Sequence, residues 1–307
     1  AQGFRITINY KPVDQGYLYL GYYFGNQKYV QDSAILQPNG EAVFSGAEKL
    51  TGGLYLIVDP QKKTFFDILI DKEQEFSIKI DTSNFTIASL NGSKENEYLI
   101  AYKTASAYYY RNFQQLQSGL AAAKTKQDSA AIQTTMNEAN ISAQQWRDSF
   151  VAVQPESYLA LLFRLLKEPV YNAPKTKARQ DSINAFYQYK QQFWPAVSFA
   201  DERLLRTPMF EQRLNRYLET AVIRHPDSIK LELDKFILFS RTNKTMFRYF
   251  INRFTNEYMN PKYMGLDVVF LHLFEKYYVT DQVDWLEKNG KGQRTVGDRA
   301  ALAQQCV

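Results

Sequence analysis

The chain has 307 residues, 45% of them hydrophobic and 22% charged, and a formal net charge of +5. That is enough apolar material for a large core and more length than one domain usually takes, so two domains are expected. No stretch approaches the roughly 18 consecutive apolar residues that a bilayer-spanning helix needs, which argues against a transmembrane segment.

Ala1-Gln2-Gly3 runs directly into the strand-like Phe4-Arg5-Ile6-Thr7-Ile8, with no initiator Met and no basic, apolar leader. A cut signal peptide leaves this pattern, and so does an arbitrary chain boundary; the reading taken is export. The first 92 residues alternate apolar and polar side chains in short runs: 4–10, 17–23, 28–36, 41–45, 54–59, 64–70, 76–80 and 86–90. Pro38-Asn39-Gly40, Gly52-Gly53 and Asp59-Pro60 stand between runs, where positive or fixed φ serves a turn. Seven or eight short strands at roughly ten-residue spacing predict an antiparallel β-sandwich or open barrel over residues 1–92.

Helical spacing takes over at Ser93, a predicted N-cap, with Glu95 and Glu97 in the first turn where the helix dipole favours negative charge. An all-α domain is expected over 93–288, so the fold class is α+β in two domains. The run Tyr158-Leu159-Ala160-Leu161-Leu162-Phe163 is apolar nearly all round and predicts a buried central helix. Thr207-Pro208 opens another helix. His225-Pro226 reads as a helix C-terminus, where a cation is favourable. Phe247, Phe250, Ile251, Phe254 and Tyr258 recur at spacings of three and four, an amphipathic helix whose obvious partner is the apolar stretch 266–279. Residues 289–307 read as a linker, with Asn289-Gly290-Lys291-Gly292 as its signal, leading towards a further domain.

Residues 1–92 carry eight Lys or Arg against ten Asp or Glu, and residues 93–307 carry 29 against 22. The basic residues of the second part are interleaved with acids at helical spacings, as on solvated helix faces, so no nucleic-acid partner is expected. The one cysteine, Cys306, can form neither an intramolecular disulfide nor a Cys-X-X-Cys pair. With 22 tyrosines and 21 phenylalanines, the chain must draw its stability from aromatic burial.

Catalytic candidates are few. The chain lacks a Gly-X-Ser-X-Gly elbow, a Gly-X-X-X-X-Gly-Lys-Ser/Thr loop and a Gly-X-Gly-X-X-Gly fingerprint. No cofactor and no catalytic residue is therefore assigned. His272 and Glu275 share a helix face at i and i+3, yet two ligands do not make a metal site; no metal is assigned, and His272, a groove or core histidine, is kept as a binding candidate. Tyr19 and Tyr22, among the tyrosines of the second strand, are candidates for a glycan or peptide platform, although strand alternation puts them on opposite faces unless a bulge intervenes near Gly21. Tyr108-Tyr109-Tyr110 spread around the first helix. At least one should reach the core and one the solvent or a partner; Tyr109 is the binding candidate.

Gly53-Leu54-Tyr55-Leu56-Ile57-Val58 after Phe44-Ser45-Gly46, with Ile78-Lys79-Ile80-Asp81 and Leu90-Asn91-Gly92-Ser93-Lys94-Glu95-Asn96, resembles the small β-domain of unknown function at the front of many exported bacterial thioredoxin-like proteins. The stretch from Tyr249-Phe250-Ile251-Asn252 through Tyr258-Met259-Asn260-Pro261 to Leu273-Phe274-Glu275-Lys276-Tyr277-Tyr278 resembles the helical domain of unknown function that comes after it in those proteins. The resemblance implies that a thioredoxin-fold domain of the peroxiredoxin or reductase type comes next and carries the chemistry in its Cys-X-X-Cys. Cys306 does not match that motif. What is implied is a non-enzymatic accessory region of an exported thiol-disulfide protein, in the periplasm or membrane-anchored facing it. It would position the redox domain or recognise its client protein; the alternative is a stand-alone glycan- or peptide-binding module using the sandwich tyrosines.

Overall fold

The computed structural model describes residues 3–11, 15–62, 65–81, 86–280, 282, 283 and 285. The linker read over 289–307, with Cys306, lies outside the described residues. Eight strands come first: β1 (Phe4–Lys11), β2 (Tyr17–Phe24), β3 (Gln27–Ile35), β4 (Glu41–Gly46), β5 (Gly53–Val58), β6 (Phe65–Ile70), β7 (Glu75–Asp81) and β8 (Thr86–Asn91). Eight helices come after them: α1 (Lys94–Ala122), α2 (Lys126–Val153), α3 (Tyr158–Leu166), α4 (Arg179–Gln191), α5 (Pro208–Thr220), α6 (Pro226–Ser240), α7 (Lys244–Met259) and α8 (Asp267–Leu273). A 3₁₀ turn (Glu202–Arg206) precedes α5, and a π-helical turn (Phe274–Val279) continues α8. The architecture is a two-domain α+β arrangement. The chain falls into two compact units, one of residues 1–170, 194–197 and 203–212, the other of 171–193, 198–202 and 213–307.

In the first unit the strands form two open four-stranded sheets, ordered β4-β1-β7-β8 and β3-β2-β5-β6, so the sandwich is the form adopted and the barrel is not. Alternation decides which residues meet between the sheets: Ile6, Ile8, Leu18, Leu20, Ile78 and Ile80 are all fully or almost fully buried, while their sequence neighbours face outward. One pairing departs from the antiparallel rule, for β1 lies parallel to β7. Parallel neighbours need a long connection, and strands β2 to β6 supply it. Gly53 is not a turn glycine as its sequence suggests. A Cβ there would stand 2.3 Å from the Cβ of Arg206, so the missing side chain lets the 3₁₀ turn approach β5.

Buried polar residues secure the sandwich and join it to the helices of the same unit. Gly92, at φ +88, turns the chain out of β8. Ser93 then caps α1 as expected, its hydroxyl accepting from the Asn96 amide at 3.3 Å. Asn96, fully buried, bonds β6 as a strand would: Nδ2 donates to the Leu69 carbonyl at 2.7 Å, and Oδ1 accepts from the Leu69 N–H at 2.9 Å. Gln74 likewise exchanges bonds with both backbone groups of Leu50, at 2.9 and 3.1 Å. Glu95 reaches the N-terminus of α3, accepting from the Ser157 hydroxyl at 2.9 Å and from the Tyr158 and Leu159 amides at 3.2 and 3.3 Å. Those amides are the orphan donors of a helix start, so a carboxylate fits them. Helix α3 is buried along almost its whole length, as its sequence predicts.

Helices α1 and α2 have 29 and 28 residues, so at about 1.5 Å per residue each is roughly 43 Å long. Their base is packed on α3 through Tyr98, Tyr102, Trp146, Phe150 and Phe163, with ring centroids 4.7–6.0 Å apart. Beyond that base little is covered: only Glu95, Asn96 and Leu99 of α1 and Met136 of α2 are buried.

In the second unit Phe236 of α6 is the hub. Its ring lies 4.7 Å from Phe199, 5.6 Å from Tyr217, 5.5 Å from Phe250 and 6.0 Å from Phe254. The amphipathic face of α7 thus docks on α6, and on the α8 side as well, through Phe247 against Tyr277 at 6.4 Å. His225 corrects the sequence reading: it is the N-cap of α6, not a helix C-terminus. Its Nδ1 accepts from the Asp227 amide at 3.4 Å, and Pro226 occupies the first helical position. A helix start wants an acceptor, which a neutral imidazole provides and a cation does not.

Candidate functional site

Of the four sequence candidates, Tyr19, Tyr22 and Tyr109 belong to the first unit and His272 to the second. Tyr19 and Tyr22 point to opposite faces of β2. Tyr22 packs on the sandwich core, opposite the buried Tyr55 on β5 and stacked at 5.6 Å on Tyr29 of β3. Tyr19 faces away, with the Lys62 ammonium 5.0 Å from its ring centre. A bulge does fall here, but on β3: Leu20 pairs with Asp32 and Gly21 with Val30, leaving Gln31 as the extra residue, so the alternation of β2 is unbroken. The Arg206 guanidinium lies 4.2 Å from the Tyr22 ring centre. Burial pushes the Tyr55 hydroxyl up to about 12, against the pull of Arg206, and that hydroxyl donates to the Thr51 carbonyl at 2.7 Å.

His272 belongs to a bonded cluster on Asp234 of α6. Its Nε2 stands 3.0 Å from Asp234 Oδ2, Lys276 Nζ donates to the same oxygen at 2.7 Å, and the Tyr277 hydroxyl donates to Oδ1 at 2.9 Å. Burial works to raise the Asp234 carboxyl, yet the bonds from Lys276, Tyr277 and His272 outweigh it and hold the group below its ordinary range. Burial and the bond to Asp234 push the Tyr277 hydroxyl well up. Glu275, the expected companion of His272, is not in the cluster. Among the described residues no three His, Cys, Asp or Glu side chains are placed to hold a metal ion. Glu232 on the same helix is held in a similar way by Lys190 at 2.7 Å, the Tyr217 hydroxyl at 2.6 Å and Lys235 at 3.0 Å.

Tyr109 lines a concavity. A groove of about 270 Å³ runs between α1 and α2, walled by Tyr102, Tyr109, Tyr110 and Phe113 on one side and Ala143 and Trp146 on the other. None of the three consecutive tyrosines reaches the core, contrary to expectation. Tyr108 and Tyr110 are 59% and 64% exposed, and Tyr109 is half-buried. The α1–α2 pair offers no core at that level, only each other's surfaces. Arg147 adds a polar element: its Nε is buried without an acceptor among the described residues, while Nη2 donates to Gln144 at 2.9 Å. Aromatic faces with one cationic donor can hold an apolar or amide-bearing segment. Sequence reasoning missed Trp146, although Ala139, Ala143 and Trp146 recur at spacings of four and three opposite the stripe Tyr102, Tyr109, Phe113.

These features define a two-domain protein in which a β-sandwich is succeeded by a helical region. The chain matches the family model described as Domain of unknown function (DUF4369) over residues 4–99 and the one described as Domain of unknown function (DUF5106) over residues 124–295. The second match spans more than half of the chain, which belongs to that family. No curated protein and no solved structure matches it. Among the described residues no helix is long and apolar enough to cross a membrane.

Proposed function

We propose that this chain is a non-catalytic accessory region of an exported thiol-disulfide oxidoreductase-like protein, and that it binds a polypeptide segment of the redox domain or of its client in the α1–α2 groove. The observation that carries the reading is the groove itself: an aromatic-walled channel on two long helices whose outer reach serves no core. A redox active site gains from a neighbouring binding surface because tethering raises the effective concentration of its partner. The same reading puts the protein on the exported side of the membrane. The sandwich tyrosines make a poorer glycan platform, since Tyr19 and Tyr22 lie on opposite faces of one strand.

Two measurements test this. The codons after Val307 should specify a thioredoxin-fold domain with a Cys-X-X-Cys within the next hundred or so residues; their absence would sink the redox assignment. That domain, or a disulfide-bearing client peptide, titrated calorimetrically into the chain should bind, and Tyr109→Ala with Phe113→Ala should weaken binding by about tenfold or more. Unchanged affinity in the double variant would remove the groove from the reading.

A further inference from the structure

The second unit holds a larger concavity, about 600 Å³, between α5, α7 and the connections before α6 and after α7. It shares no residue with the groove of α1 and α2, and its volume is that of a small-molecule or peptide-end site. Its floor is pre-formed. Arg253 of α7 bridges to α5, donating to Asn215 Oδ1 at 2.6 Å and to Glu257 Oε2 at 2.5 Å.

The rim is differently provided. The Arg224 guanidinium lies over the Tyr263 ring, 4.9 Å from its centre, and has no hydrogen-bond acceptor or ion-pair partner among the described residues. Lys262 is in the same position. The Tyr263 ring keeps the guanidinium at the rim, and a guanidinium without an acceptor is the group that receives a carboxylate in two parallel bonds. The charges lining the cavity are three cations, Arg224, Arg253 and Lys262, and two anions, Glu219 and Glu257. One net positive charge suits a monoanion, and the two carboxylates repel a dianion such as phosphate. Asn256 and Asn260 each offer an amide with one acceptor and two donors, the complement of a peptide bond. Leu218, Ile229 and Leu266 give an apolar wall for a side chain.

We infer that this cavity is a binding site for the carboxylate end of a peptide, with Arg224 and Lys262 taking the carboxylate and Asn256 and Asn260 the last peptide bonds. The inference does not rest on the proposed function; a stand-alone binding protein would carry the same site.

The test titrates the whole chain with acetyl-Ala-Ala-Leu as the free acid and as its C-terminal amide, and with glucuronate and inorganic phosphate, monitored by calorimetry and by amide NMR shifts. The free acid should bind, and the amide should bind about tenfold more weakly or worse. Arg224→Ala with Lys262→Ala should abolish the difference between acid and amide, while circular dichroism stays that of the parent, both side chains being exposed. Arg224→Lys should recover only part of the affinity, because an ammonium cannot make the paired bonds. Equal binding of acid and amide, binding of glucuronate or phosphate in preference to the peptide, or no binding of the free acid would each overturn the assignment.

Discussion

Glu95 in the first unit and Asp234 in the second are carboxylates taken largely out of water, and their partners differ in charge. Glu95 is received by a hydroxyl and two backbone amides, all neutral. Asp234 is received by Lys276, His272 and a tyrosine hydroxyl. Burial dominates for Glu95 and raises its carboxyl despite the three bonds. For Asp234 the bonds outweigh burial and lower it. Neutral donors can seat a buried carboxylate without repaying its desolvation, whereas a nearby ammonium can reverse the balance. The same contrast runs through the wider structure. In the first unit the amide side chains of Asn96 and Gln74 bond backbone groups of the sandwich, beside an aromatic cluster at the base of α1 and α2, while in the second the rings gather around Phe236 and two carboxylates are clamped by lysines.

The contrast can be broken at its strongest point first. Phe250 is fully buried among Phe199, Phe236 and Phe254, so Phe250→Ala should destabilise the second unit by about 3–5 kcal/mol, read from the denaturant midpoint. A loss below about 1 kcal/mol would mean that the aromatic cluster is not what holds that unit. Asn96→Ala comes next. It leaves both backbone groups of Leu69 unpaired in a buried place and should cost about 2–4 kcal/mol, with early hydrogen exchange at the Leu69 amide. Slow exchange there in the variant would show that another group satisfies β6.

The smallest effect, on the order of 1 kcal/mol, is the most discriminating, because its sign differs between the two carboxylates. Glu95 has a raised native pKa, so the folded state binds its proton more tightly. Its contribution is greatest below the unfolded carboxyl value and is lost as pH rises through the native one. Asp234 has a lowered native pKa, so its contribution is complete above the unfolded value and is lost as pH falls through the native one. Stability measured between about pH 3 and 8 should therefore show the gap between parent and Glu95→Gln narrowing as pH rises. The gap between parent and Asp234→Asn should narrow as pH falls. Parallel trends in the two variants would remove the distinction.

What could be read in advance depended on range along the chain. The eight strands are legible from a period of two over six or so residues, and Ser93 announces α1 because a capping hydroxyl acts three residues away. Glu95 was legible only as a first-turn acid, since the helix it caps begins more than sixty residues later. His225 misled because a histidine before proline can close one helix or open the next, and only the Asp227 amide bond tells which. Gly53 misled because close approach and positive φ both call for glycine, and the chain segment that approaches it lies beyond residue 200. In the candidate site Tyr109 was visible as one of three tyrosines, while its partner Trp146 lies on a different helix and had no local signal of pairing.

The π-helical turn Phe274–Val279 explains how Asp234 collects its partners. His272 and Tyr277 are five residues apart, which an ordinary α-helix separates by about 140° around its axis. The wider turn brings an i+5 pair onto one face. A helical wheel drawn through this stretch would therefore assign the tyrosine to the wrong side. Deleting one residue between His272 and Tyr277 would leave the pair four apart, a spacing at which an ordinary α-turn puts both on one face.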